Sequence, residues 1–302
     1  MEQALYTDAA MFRLLAPALF VLVWSTGFII ARAVTSHADV QLFLLWRFVA
    51  VALLFGSAAV VGKASWVSPK RAFGHLATGA IMMGLYLSLS FWAIAQGLPA
   101  GIMALMGALQ PLLTAALMLA RGRGPSSPAV WWGLSIGFLG VVLVLLPRLE
   151  NSHLAAGNLA NLAGVLAIAA LTLGTLAQKH LANDDLRVAG CLQNVGAGLV
   201  ALLAVATVGA VRWDGSVALW SLLAWSALIT SVLAQSLLLW MMRRGEATHV
   251  TALMLLVPPV AALLAYELFH ETLSWLQLMG FALALGGVVL ARRANRAPQT
   301  SS

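Results

Sequence analysis

Long runs without a single Asp, Glu, Lys or Arg divide this chain: Leu14–Ala31, Ala72–Ala120, Gly124–Pro147, Asn151–Gln178, Val188–Val211, Gly215–Met242, Ala247–Tyr266 and Thr272–Ala291. A helix rises about 1.5 Å per residue, so the hydrocarbon core of a bilayer takes about 20 apolar residues. Most runs fit one crossing. Ala72–Ala120 fits two, parted at Gln96-Gly97-Leu98-Pro99-Ala100-Gly101, where glycine and proline end a helix. A further segment, Val40–Val61, carries one charge, Arg47. The pattern predicts ten transmembrane helices and an all-α polytopic membrane protein.

Composition agrees. Apolar residues make up 62% of the 302 positions and charged residues only 9%, against about 25% charged in soluble domains. The single cysteine, Cys191, excludes an internal disulfide, and neither a metal site nor a cofactor is expected. A net charge of +7 could point to nucleic acid, but the basic residues sit in short flanks between spans. Membrane topology accounts for them, so the expected partners are the lipid bilayer and a small-molecule substrate, not nucleic acid. A monomer is expected, with a dimer as the alternative. Arg13, the apolar run after it and Ala31-Arg32-Ala33 resemble a signal peptide, but the run is longer than the usual ~7–15 residues. It reads as a retained first helix.

With both termini taken as cytoplasmic, thirteen basic residues lie in the inner flanks and three (Arg32, Arg148, Arg212) in the outer ones. That asymmetry predicts a multi-pass protein of the cytoplasmic (inner) membrane with both termini inside. The halves also match each other. A shift of 148 lays Trp92 on Trp240, Gly97 on Gly245 and Pro111 on Pro259; a shift of 147 lays Gly133 on Gly280 and Gly140 on Gly287. Residues 1–150 and 151–302 therefore read as two five-helix repeats forming one transmembrane domain. Five is odd, so the second repeat is inverted in the membrane, a construction common among secondary transporters.

The order and spacing of several short motifs resemble the EamA family of the drug/metabolite transporter superfamily. They are Val23-Trp24-Ser25-Thr26-Gly27-Phe28, Arg47-Phe48, Pro259 with Glu271 twelve residues on, Gly280, and Gly286-Gly287-Val288-Val289. The likeness spans essentially the whole chain. One departure is Arg123, where the family usually repeats that glutamate. The resemblance implies export of small metabolites, often amino acids. Its YddG-like branch implies aromatic amino acids, alternating access and a central cavity. Membrane channels, or exporters of other metabolites and drugs such as nucleosides or amines, are the alternatives.

Most tryptophans fall near span ends, as in an aromatic belt. Trp24 instead lies about ten residues into the first span, near the midplane, beside Ser25 and Thr26. Tyr86, Gln110, Thr172 and Thr175 share its depth range. A buried amide or hydroxyl in lipid must find a partner, so two readings are open for this set: packing within and between helices, or a cavity for a neutral or zwitterionic ligand with an apolar part. Pro111 and Pro259 are predicted mid-helix, where each would bend its helix, as a gate or as a static kink.

Arg47 lies about seven residues into the second span, roughly 10 Å deep. Its side chain either snorkels to the outer headgroups or faces protein, holding helix-end carbonyls or an acid such as Glu267. Its fit to the Arg-Phe motif favours a structural or gating role over direct substrate binding. No acid is expected at the midplane; Glu267, Glu271 and His75 lie nearer the faces, which favours facilitated or exchange transport. No zinc-protease motif, paired intramembrane carboxylates or phosphate-cradling loop appears, so no enzyme is expected.

Overall fold

In the computed structural model, the described residues are 2–110, 113–114, 117, 128–151, 155–181, 184–208, 211–234, 237 and 256–294. They build ten helices: α1 Glu2–Val34, α2 Val40–Val61, α3 Pro69–Ala95, α4 Ala100–Ala108, α5 Pro128–Asn151, α6 Ala155–Gln178, α7 Leu186–Val208, α8 Val217–Leu233, α9 Val257–Phe269 and α10 Trp275–Ala294. Among them, α2, α3 and stretches of α1, α6 and α7 are long and apolar enough to cross a membrane.

Local chemistry sets the helix starts. Asp39 accepts hydrogen bonds from the N–H groups of Gln41 (2.8 Å) and Leu42 (3.3 Å) at the head of α2. Asp185 does the same for Arg187 N–H in α7, and Ser216 for Leu219 N–H in α8. Each satisfies an amide that the first helical turn leaves open. Gly97, with φ of +94°, makes the turn between α3 and α4, a backbone conformation few other residues tolerate.

Loop contacts reveal the inversion. Ala38, between α1 and α2, bridges antiparallel to Trp213, between α7 and α8. Glu271, between α9 and α10, accepts from Ala100 N–H at the head of α4 (3.0 Å) and pairs with Arg32 near the end of α1 (3.4 Å). On the other face Asp184, between α6 and α7, binds Arg71 at the head of α3. A turn after the first helix of one repeat thus shares a face with a turn after the second helix of the other. That holds only if the repeats run opposite ways.

Close backbone packing joins the repeat-related helices α5 and α10. On α5 and α10, a Cβ added at Gly280 would lie 2.6 Å from the Gly140 carbonyl oxygen, and one at Gly287 the same distance from that of Gly133. The four glycines matched between the halves thus meet crosswise, Gly280 against Gly140 and Gly287 against Gly133, and small residues let the backbones meet. Phe20, Phe43, Phe48, Leu98, Ile102 and Met103 bury their side chains completely in one shared core.

Two helices depart from α-geometry at one place in both repeats. Ala80–Leu85 in α3 and Trp225–Leu233 in α8 are π-helical, and a shift of 148 carries 80–85 onto 228–233. Such segments often mark functional sites because they free backbone carbonyls.

Candidate functional site

Around these π-helical stretches the structure gathers polar side chains from several helices. Arg47 is only 9% exposed, so it is held in protein and does not snorkel to the headgroups. Its partners lie on α8. Nε donates to Ser231 Oγ (3.3 Å), and Nη2 to Ser231 Oγ (3.1 Å) and Thr230 Oγ1 (3.4 Å). Both hydroxyls donate in turn to the Ser226 carbonyl, at 2.7 and 3.0 Å. Ser231 is five residues from Ser226, a reach the π-helical stretch provides. Tyr86 is the first residue after the π-helical stretch of α3 and packs partly buried against the core. Glu267 is exposed on α9, with no ion pair to Arg47. The expectation of a carbonyl or acid partner is thus replaced by two hydroxyls.

The Trp24-Ser25-Thr26 run ties α1 to two neighbours. Ser25 is fully buried, with Oγ 2.7 Å from the Val21 carbonyl and 3.2 Å from that of Val257 in α9. Thr26 donates to Val23 (2.6 Å) and accepts from Trp225 Nε1 on α8 (3.1 Å). Trp24 is half-buried against Phe20, ring centroids 5.4 Å apart. Ser25 is therefore a helix-to-helix tie, while Trp24 and Thr26 keep part of their surface free.

Gln110 and Thr175 come together, Gln110 Nε2 donating to Thr175 Oγ1 at 2.9 Å. This links the end of α4 to α6. Thr172 does not join them; fully buried, it donates to its own helix at Ile168 (2.7 Å). Pro111 lies outside the described residues. Pro259 stands in the first turn of α9 rather than mid-helix. There a proline removes no intrahelical bond, because the first turn's amides have no partner in the helix.

The face carrying Asp184 holds a second polar cluster. Arg71 Nε donates to both Asp184 oxygens (3.1 and 2.9 Å), and its guanidinium holds that carboxyl below the usual carboxylate range. His75, fully buried, meets the same carboxylate through Nε2 at 2.8 Å. Gln193 Nε2 on α7 donates to His75 Nδ1 (3.2 Å) and to Gln178 Oε1 on α6 (2.7 Å). Every contact fits a neutral imidazole with its proton on Nε2. Its charge lies at one face, away from the Arg47 cluster.

Sequence reasoning placed Arg47 and Tyr86 in the set but missed Ser226, Thr230, Ser231 and Trp225. A signal existed: Ser226, Thr230 and Ser231 are clustered in an otherwise apolar run, and a lone intramembrane arginine needs such acceptors. No group of three or more potential metal ligands occurs among the described residues.

Comparison with known proteins follows the same two-fold organisation. The profile described as the EamA-like transporter family matches twice, over residues 11–146 and 158–293. A solved crystal structure is similar in fold, with a TM-score of 0.64 at 18% identity over 93% of this chain and 97% of the other. No curated protein matches.

Proposed function

Since this chain belongs to the EamA-like transporter family, a family of membrane transporters of small molecules, we propose that it exports amino acids, aromatic ones included, by alternating access. The observation that carries this reading is the gathering of Arg47, Thr230 and Ser231 at the π-helical stretch of α8, whose counterpart in α3 leads directly into Tyr86. A guanidinium, hydroxyls and an aromatic ring suit a zwitterion with an apolar side chain. Inverted repeats supply the motion, because each half can adopt the packing of the other. The asymmetry of basic flanks supports both termini in the cytoplasm.

The test is counterflow in proteoliposomes, with labelled amino acids, nucleosides and amines each tried against an unlabelled excess. Saturable exchange of amino acids is the expected result. Flat traces for every compound would end the transporter reading of this site, and conductance without counterflow would favour a channel.

A further inference from the structure

Resting on the transporter reading, we propose that Arg47 is the anchor for a carboxylate on the transported molecule, so that the substrate class is carboxylate-bearing metabolites and amines or nucleosides are excluded. The hydrogen-bond inventory of the guanidinium is incomplete. It has five N–H donors, and only Nε and Nη2 find acceptors among the described residues; Nη1 finds none. The three contacts, at 3.1 to 3.4 Å, are also long for bonds from a cation, which shorten to about 2.7–2.9 Å with a carboxylate.

The acceptors present are neutral. Ser231 and Thr230 spend their protons on the Ser226 carbonyl, which turns their lone pairs to Arg47 but leaves its charge unbalanced. No carboxylate lies within 4.0 Å of Arg47 among the described residues, whereas Arg32, Arg71 and Arg187 each have one. A cation nine-tenths buried among hydroxyls has lost its water without gaining a counter-ion, a costly arrangement that an arriving anion relieves. The planar fork suits a carboxylate, which can take two parallel bonds. Ser226 adds a buried Oγ that has no partner among the described residues. The tie between α2 and α8 uses only Nε and Nη2, which leaves Nη1 available to a ligand.

Wild-type protein in nanodiscs is titrated with the standard amino acids, their decarboxylated amines, 3-phenylpropanoate and the nucleosides, following binding by calorimetry. The expected result is that ligands come from the carboxylate-bearing set, each binding about 10–100-fold more tightly than its amine, the range of a charged hydrogen bond. Arg47→Lys should lower that preference and Arg47→Gln should abolish it. Binding of an amine or nucleoside in place of carboxylates would overturn the proposal and leave the transporter reading standing. So would Arg47→Gln with an intact carboxylate preference. Failure of every compound here and in counterflow would overturn both. Wild-type selectivity decides the matter even where a variant does not fold.

Discussion

Helices α3 and α7 form one pair across the repeats, and α8 and α2 form its repeat-related counterpart, yet the two pairs pack differently. On α3 and α7 the backbones touch. A Cβ at Gly196 would lie 2.8 Å from the Leu76 carbonyl carbon, and one at Gly79 would strike Gln193. Beside that contact runs the chain of bonds from Arg71 through Asp184, His75 and Gln193 to Gln178. Helices α8 and α2 are instead parted by an apolar groove of about 530 Å³, lined by Ala50, Leu53, Leu54, Trp220, Ala227 and Leu228 among others. Arg47 bridges them through Thr230 and Ser231. The side chains explain why. At the 148-residue shift Gly79 faces Ala227 and His75 faces Leu223, and at the 147-residue shift Arg47 is matched by Asn194. Duplication supplied equivalent helices; divergence at a few contact positions made one pair close and the other stay parted.

The largest expected effect breaks the closed pair at its backbone contact. Gly196→Leu must push α7 off Leu76, with a cost of about 2–3 kcal/mol, typical of an overpacked site that cannot relax. Ala224→Leu adds similar bulk at an exposed position of the groove and should cost less than about 1 kcal/mol. Denaturant unfolding in micelles compares them directly, and equal losses would refute the packing difference. The next effect concerns the polar chain. Gln193→Leu strands His75 Nδ1 and Gln178 Oε1 without a donor, at about 1–3 kcal/mol for buried unpaired groups. Hydrogen exchange should quicken over α3 and α7 and stay unchanged over α2; a uniform rise would show that the pairs are not separable.

Much of the fold could be read from the sequence, since charge-free runs near bilayer length and a shift of 147 or 148 need only hydropathy and glycine positions. The matched glycines had a physical cause, since all four sit where α5 and α10 touch, paired crosswise as Gly140–Gly280 and Gly133–Gly287. The site was less legible. Arg47 stood out because a charge in a span demands partners, but its partners lie 183 and 184 residues away on α8 and are hydroxyls, the least conspicuous acceptors in a helix. Spacing alone also put Pro259 mid-helix, because an apolar run does not show where the helix within it begins. Asp184 and His75 join through a turn and a helix of different repeats, 109 positions apart. No local pattern announces such a contact.

On the opposite face no tie holds a group as deeply buried as His75, and the expected effects shrink accordingly. Glu271→Gln removes the charge facing Arg32 but keeps an oxygen for Ala100 N–H, so a loss of about 0.5–1 kcal/mol is expected from a partly solvated ion pair. A loss as large as that of Gln193→Leu would erase the contrast between the faces.

The smallest effect is a null response to acid. Asp214 ties the loop between α7 and α8 to His37, and its carboxyl is held down to about 2, chiefly by Ser216 N–H and then by His37. A depressed carboxylate contributes stability above its ordinary pKa and loses it only as pH falls through the depressed value. The loops should therefore stay joined from about pH 7 to pH 4 and part only near pH 2. Spin labels at Ser36 and Val217 follow the loop separation by electron paramagnetic resonance. Asp214→Asn, which lacks the titrating group, should show one distribution across the whole range. Broadening of the wild-type distribution between about pH 6 and pH 4 would mean that another group holds this face together.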